Sequence, residues 1–335
     1  GPYSIPNFTR LKNEGAGTLA AHIDNNNYET LPNHVSLITA RPQVGTIGHN
    51  WTSNSDPAVG QTIHTVKGSY VSSVFDVAHD AGLSTAMYAN KTKFSLFENT
   101  SSYAGGYTTA GGGSYGLNYG APDGNPVGGN NGTDKVDFNY INTGLTGTIV
   151  NTYIGQQTSG NPVKYAFLHF NNPDSAGHGS GWGSTTYYQS VVTVDGFLGQ
   201  LFNLIENQVP AMKDNTAIVL TADHGSQASY NTLADRYSVP FYVWGPDVTA
   251  GADLYELNPD NRQVAGSYPM TTYSGLQPIR NAEVNNLALQ LLGLGPIPGS
   301  TFDYAQDLVV PEPASMGLLA LGALAMLRRR RKAAR

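Results

Sequence analysis

The chain contains no cysteine, which excludes a disulfide framework and any thiolate metal site. Charge is sparse as well: Asp, Glu, Lys and Arg make up 13% of the 335 residues, about half the share of an average soluble domain. No apolar run reaches the ~20 residues that a membrane-spanning helix needs; Ala314–Leu327 has 14. Basic residues are sparse along most of the chain. Six of the 18 Lys and Arg lie in 314–335, which leaves 12 basic against 24 acidic groups in 1–313, a charge of −12. So acidic a body offers no broad nucleic-acid-binding surface, because phosphate backbones are held by clustered Lys and Arg. If a phosphate is the substrate, metal ions must supply the positive charge. Histidine is also confined: none follows His224.

What is present suits one large α/β domain or two smaller ones, since 40% of the residues are apolar. Ser69–His79 has helical spacing and stops before Gly82, and Leu83–Ala89 reads as a buried strand. Tyr165–Phe170, Ala217–Ala222 and Pro240–Trp244 are further apolar strands. Val191, Val194, Leu198, Leu201 and Ile205 mark one face of a long helix, and Glu283–Leu292 closes the pattern with another. Strands alternating with helices predict a mostly parallel central sheet covered by helices on both faces. The Gly-, Asn- and Tyr-rich stretch 104–135 interrupts this alternation and reads as a surface insertion.

Three polar segments stand at element ends. Thr30, in Glu29-Thr30-Leu31-Pro32-Asn33-His34, precedes a helical run and is either an N-cap or a nucleophile. Asp174 and His178 follow the strand at 165–170, and Asp223-His224 follow the one at 217–222. Ligands gather at the carboxyl ends of strands in open α/β sheets, and carboxylate oxygen with imidazole nitrogen suits zinc-like cations. Taken singly, either pair could be a capping Asp beside a surface His; their order after the Thr30 segment favours one shared site.

These segments, with Pro173–His178 and Ala222–Gly225, resemble the signatures of the alkaline phosphatase superfamily, closest to its nucleotide pyrophosphatase/phosphodiesterase branch. The resemblance implies an alkaline-phosphatase-like three-layer α/β sandwich over a catalytic body at 1–305, with a first strand and its Asp upstream of residue 1. It further implies a phosphoric ester hydrolase with Thr30 as nucleophile, working through a phosphothreonine on phosphodiesters or nucleotides. Two divalent ions, zinc or manganese, are implied: one held by Thr30, Asp223 and His224, the other by Asp174 and His178. Asn33 would donate to a phosphoryl oxygen. A metal-coordinated hydroxyl becomes a competent nucleophile, and a metal pair can clamp the attacking and leaving oxygens.

The family's further His after the Asp-His-Gly motif is missing; Tyr230 and Asp235 stand in that region. Its loss is the feature that would suit a noncatalytic surface protein of the same fold. A sulfatase, which shares the fold, needs Cys/Ser-x-Pro-x-Arg, and Thr30–Asn33 supplies neither that nucleophile nor the Arg. Among other polar residues, Asp195 reads as a solvated or packing carboxylate, His169 as a core or supporting histidine, and His34 as a supporting or surface one. His22, His49, His64 and His79 have no motif support, and Arg280, near a predicted helix start, calls for a partner.

The C-terminus sets Pro311-Glu312-Pro313 before the apolar segment 314–327 and the basic run Arg328–Lys332. This order resembles a PEP-CTERM sorting tail, assigned to 306–335. It implies export in a Gram-negative bacterium, transient membrane retention and processing by an exosortase-type enzyme. The body would then lie in the periplasm, on the outer surface or in the extracellular matrix. An export signal is expected upstream of Gly1.

Overall fold

The computed structural model describes residues 3–23, 28–58, 61–97, 135–144, 146–226, 232–270, 272–273, 275–300 and 308–310. The sorting tail beyond 310, Tyr230 and all but Lys135 of the 104–135 stretch therefore lie outside the described residues.

In chain order the elements are α1 (Pro6–Glu14), β1 (Ala16–His22), α2 (Thr30–Thr39), α3 (Ile63–Lys67), α4 (Val74–Asp80), β2 (Thr85–Ala89), β3 (Phe138–Ile141), α5 (Thr146–Thr158), β4 (Tyr165–Leu168), α6 (Asn172–Ser180), α7 (Thr185–Asn203), β5 (Ile218–Thr221), α8 (Leu233–Tyr237), β6 (Ser238–Trp244), β7 (Ala252–Asp253), α9 (Leu254–Leu257) and α10 (Val284–Leu291). The fold is α/β and alkaline-phosphatase-like. Its described strands form two sheets rather than one: β3-β2-β4, all parallel, and β5-β6-β1-β7. In the second, β6 runs antiparallel to both β1 and β5, while β7 is parallel to β1.

Local chemistry explains where the elements depart from the apolar pattern. The helix expected from Ser69 begins only at Val74, because Ser73 caps it and the Asp76 carboxylate accepts the Ser73 N–H at 2.8 Å. Ser184 starts α7 the same way, accepting from the Tyr187 N–H at 3.1 Å. α1 has no side-chain cap of its own. Asp195, buried within α7, supplies one from a distance by accepting the Phe8 N–H at 2.8 Å and the Asn7 amide at 2.9 Å. A carboxylate there meets both the orphan donors and the positive end of the helix dipole. Asp195 is thus a packing carboxylate, the role one of the two sequence readings gave it.

One core cluster joins α2 and α4 to β2 and β4 through Leu31, Val35, Phe75 and Met87. A second joins β1 and β6 to α10 through Ala21, Phe241, Val243 and Leu287. Between β4 and β5 runs a cleft of about 1670 Å³, lined by both strands along their length, with α10 and α7 also contributing walls. Among the described residues β4 pairs only with β2 and β5 only with β6, so each presents an unpaired edge.

Candidate functional site

The carboxyl ends of β4 and β5 converge. His169, just after β4, lies edge-on to His34 of α2 with ring centroids 5.0 Å apart. The His34 Nδ1 is in turn 3.6 Å from Asp223 Oδ2, two residues beyond β5. Three elements thereby meet at one point, where His34 stands between Thr30 and Asp223.

Thr30 is the first residue of α2, buried, with Glu29 rather than Thr30 in the cap position. Its hydroxyl is therefore not committed as the N-cap. Its carbonyl is bound by His34 Nδ1 at 2.8 Å, so one imidazole stands between the Thr30 backbone and Asp223. Burial pushes the His34 pKa down and holds the ring neutral, which corrects the surface option and leaves His34 a supporting residue. Asn33 is fully buried and donates to the Glu29 carbonyl at 2.9 Å.

Asp223 and His224 act as a unit. The Asp223 carboxylate accepts the His224 N–H at 3.0 Å, and its backbone carbonyl is held by Asn281 at 2.9 Å. Burial alone would raise the Asp223 pKa, but His224, His34, His169 and Lys91 outweigh it and bring it down to about 2. His224 Nδ1 contacts the Gly225 carbonyl at 2.8 Å, so it carries the proton and Nε2 keeps the lone pair. That Nε2 is buried without a hydrogen-bond partner, 3.5 Å from Asp223 Oδ2. An orphaned imidazole nitrogen beside a permanently ionised carboxylate is a donor set that fits a divalent cation.

Asp174 and His178 sit on α6, 3.5 Å apart, with the His178 side chain 53% exposed. His178 packs edge-on to Trp182, and a Cβ at Gly177 would stand only 2.6 Å from that indole, which explains the glycine in Ser-Ala-Gly-His. Here the fit to a cation is poorer, because the ammonium of Lys91 already lies 2.8 Å from Asp174 Oδ2. Among the described residues no three His, Asp or Glu side chains are grouped closely enough to hold a metal ion. Asp235 does not fill the place of the missing His: its carboxylate is bound to the Thr232 N–H and hydroxyl at 2.9 and 2.8 Å, capping α8.

Sequence reasoning missed Lys91 and Lys93, which follow β2, Lys91 just before the turn Thr92–Phe97 and Lys93 within it. Their signal was present, since two lysines at the end of a strand in a chain so poor in base are unusual. Arg280, which called for a partner, is fully buried and donates to the carbonyls of Ile23, Met270 and Thr272, tying loops rather than joining the site.

An α/β fold with Thr30 at a helix start and Asp/His pairs at two strand ends defines a phosphoric ester hydrolase of the alkaline phosphatase superfamily. Residues 2–269 match the family model for type I phosphodiesterase / nucleotide pyrophosphatase, and the chain belongs to that family. Residues 309–332 match the PEP-CTERM protein-sorting motif, which implies export in Gram-negative bacteria. No curated protein matches the sequence.

Solved structures agree on the fold. Human ectonucleotide pyrophosphatase/phosphodiesterase 5 superposes with a TM-score of 0.57 at 13% identity, over 91% of this chain and 94% of that one. An inactive form of the murine protein in complex with AMP gives 0.56 at 13% identity, over 91% and 94%. A Vibrio parahaemolyticus protein of the alkaline phosphatase superfamily gives 0.51 at 13% identity and 92% of this chain, which spans 64% of that longer one. Family members are generally dependent on divalent metal. Among the described residues no helix is long and apolar enough to cross a membrane.

Proposed function

We propose that the chain is an exported phosphodiesterase of nucleotide-like substrates, with Thr30 as its nucleophile. The observation that carries this reading is the meeting of Thr30, at the start of α2, with Asp223 and the unpartnered Nε2 of His224 through His34. The phosphoryl group sits at the amino end of α2, where backbone N–H groups and the helix dipole favour an anion. Thr30 Oγ1 bonds to phosphorus as the opposite ester oxygen leaves; the hydroxyl proton passes to solvent water, and the leaving alkoxide takes one up from solvent. Asn33 is the donor assigned to an equatorial oxygen, where charge develops. Water then cleaves the phosphothreonine and regenerates the hydroxyl. Asp223, His224 and Thr30 would hold a divalent ion, zinc or manganese, which would supply the acidity that a threonine hydroxyl lacks. A second ion at Asp174 and His178 requires Lys91 to move away from the carboxylate. The nucleotide class of substrate is supported by the AMP complex of the murine relative.

We assign the catalytic body to 1–305 and the sorting tail, with its exosortase-type processing and transient membrane retention, to 306–335. The mature body then resides in the periplasm, on the outer surface or in the matrix.

The test is hydrolysis of bis(4-nitrophenyl) phosphate, 4-nitrophenyl phosphate and 4-nitrophenyl sulfate by zinc- or manganese-loaded protein, beside Thr30→Ala. Diester turnover that chelator and Thr30→Ala both abolish supports the reading. Preference for the sulfate would move the chain to the sulfatases, and a folded protein that turns over none and binds no metal is the noncatalytic alternative.

A further inference from the structure

Resting on that reading of Thr30, we propose that Lys93 is a further catalytic residue, its ammonium binding a non-bridging oxygen of the phosphoryl group while Thr30 attacks. Two lysines stand two residues apart after β2, and they are differently engaged. Lys91 is committed to Asp174 at 2.8 Å. Lys93 instead donates to the side-chain oxygen of Asn54 at 2.9 Å, its one hydrogen bond among the described residues. That same oxygen accepts the Leu31 N–H at 2.9 Å. Leu31 follows Thr30 directly, so one amide oxygen holds the ammonium against the helix start that carries the hydroxyl.

A neutral amide oxygen satisfies one of an ammonium's three protons and leaves its charge uncancelled. Burial and the neighbouring Lys91 disfavour that charge more than Asp56, Asp174 and Asp223 favour it, and none of the three carboxylates makes an ion pair with Lys93. A purely structural buried lysine in this fold ends differently: Lys135 closes directly onto Asp80. Lys93 is half-buried, and burial there weakens the hold of water on the ammonium, so an arriving anion gains more from it. In the reaction the Oγ1–P bond forms as the ester bond breaks, charge spreads over the equatorial oxygens, and Lys93 donates a hydrogen bond without giving up its proton.

Three readouts test this on metal-loaded protein: steady-state hydrolysis of bis(4-nitrophenyl) phosphate, calorimetric binding of inorganic phosphate, and thermal melting. Lys93→Met is expected to lower kcat about 100-fold, the loss typical of one removed transition-state donor, with little change in KM. Phosphate binding should weaken about tenfold, the difference one charge-assisted hydrogen bond makes, while the melting midpoint stays put. Lys93→Arg should recover most of kcat, and added methylammonium should restore part of the activity of Lys93→Ala. Unchanged phosphate binding in Lys93→Met overturns the proposal. So does a lower melting midpoint combined with no response to methylammonium, since Lys93 would then only secure the Asn54 loop. If the wild-type chain hydrolyses no phosphoester but its phosphate binding still depends on Lys93, the hydrolase reading fails while Lys93 stands as the anion-binding residue.

Discussion

Two buried histidines outside the proposed catalytic groups should make the protein sensitive to mild acid. His22 is stacked between Tyr237 and Tyr268, donates from Nδ1 to the Ile23 carbonyl, and accepts the Met270 N–H on Nε2 at 3.1 Å. His49 accepts the Trp51 N–H on Nδ1 at 3.0 Å and contacts Ser36 Oγ through Nε2 at 3.0 Å. In each ring the nitrogen that would take a second proton is already accepting a backbone hydrogen bond. Burial, reinforced by Arg280 at His22 and by Arg41 and Lys67 at His49, lowers the pKa values from 6.5 to about 4 and about 3. Because the native rings stay neutral while the unfolded ones protonate, stability is full above pH 6.5 and is lost as the pH falls below it.

Each unit below that point costs about 1.4 kcal/mol per ring, so at pH 5 the pair removes roughly 4 kcal/mol. That is a large part of the 5–15 kcal/mol typical of a domain. Asp76 opposes this, its pKa being raised by burial, and Asp223 acts only nearer its value of about 2. Urea unfolding at pH 7.5, 6.5, 5.5 and 5.0, repeated for His49→Gln, measures the slope. A stability independent of pH between 7 and 5, or a slope that His49→Gln leaves unchanged, would refute the reasoning.

Asp195→Ala should destabilise by about 2–3 kcal/mol, combining an orphaned Phe8 N–H with a lost helix-end charge, and lower the melting midpoint. Asp195→Asn keeps an acceptor in place and should cost about half as much. Arg280→Met leaves the Ile23, Met270 and Thr272 carbonyls without their guanidinium, and a loss of about 3 kcal/mol is expected from the uncompensated polar groups. Its effect should appear in thermal melts rather than in KM, because Arg280 touches none of the proposed catalytic groups.

The apolar runs named β2, β4, β5 and β6 in the sequence because apolar residues dominate each of them, although β4 and β5 are only partly buried beside the cleft. β1, Ala16–His22, escaped notice because it is small and weakly apolar and is held through its pairing with β6. Such pairing is a tertiary fact that periodicity does not carry. The split into two sheets and the antiparallel placement of β6 were illegible for the same reason. At the site, short motifs announced Thr30, Asn33 and the two Asp/His pairs. Lys91 and Lys93 did not announce themselves, and His34 stayed between a supporting and a surface role, because each depends on a neighbour remote in sequence: Asp174, Asn54 and Asp223. Asp195 is similar, since its partners are 187 and 188 positions away.

The division between β4 and β5 also places the proposed catalytic groups on opposite banks of a seam. Thr30 and Lys93 belong to elements of the first core cluster, while Asp223 and His224 end a strand that packs with β6. Among the described residues, α10 and α2 each contribute to both clusters. α10 buries Leu289 in one cluster and Leu287 in the other, and α2 divides Val35 and Leu37 in the same way. A ligand seated at the strand ends would therefore work as a clasp. Its binding energy would resist opening along the seam, slowing amide exchange in α10 well before it changed the exchange of either sheet alone.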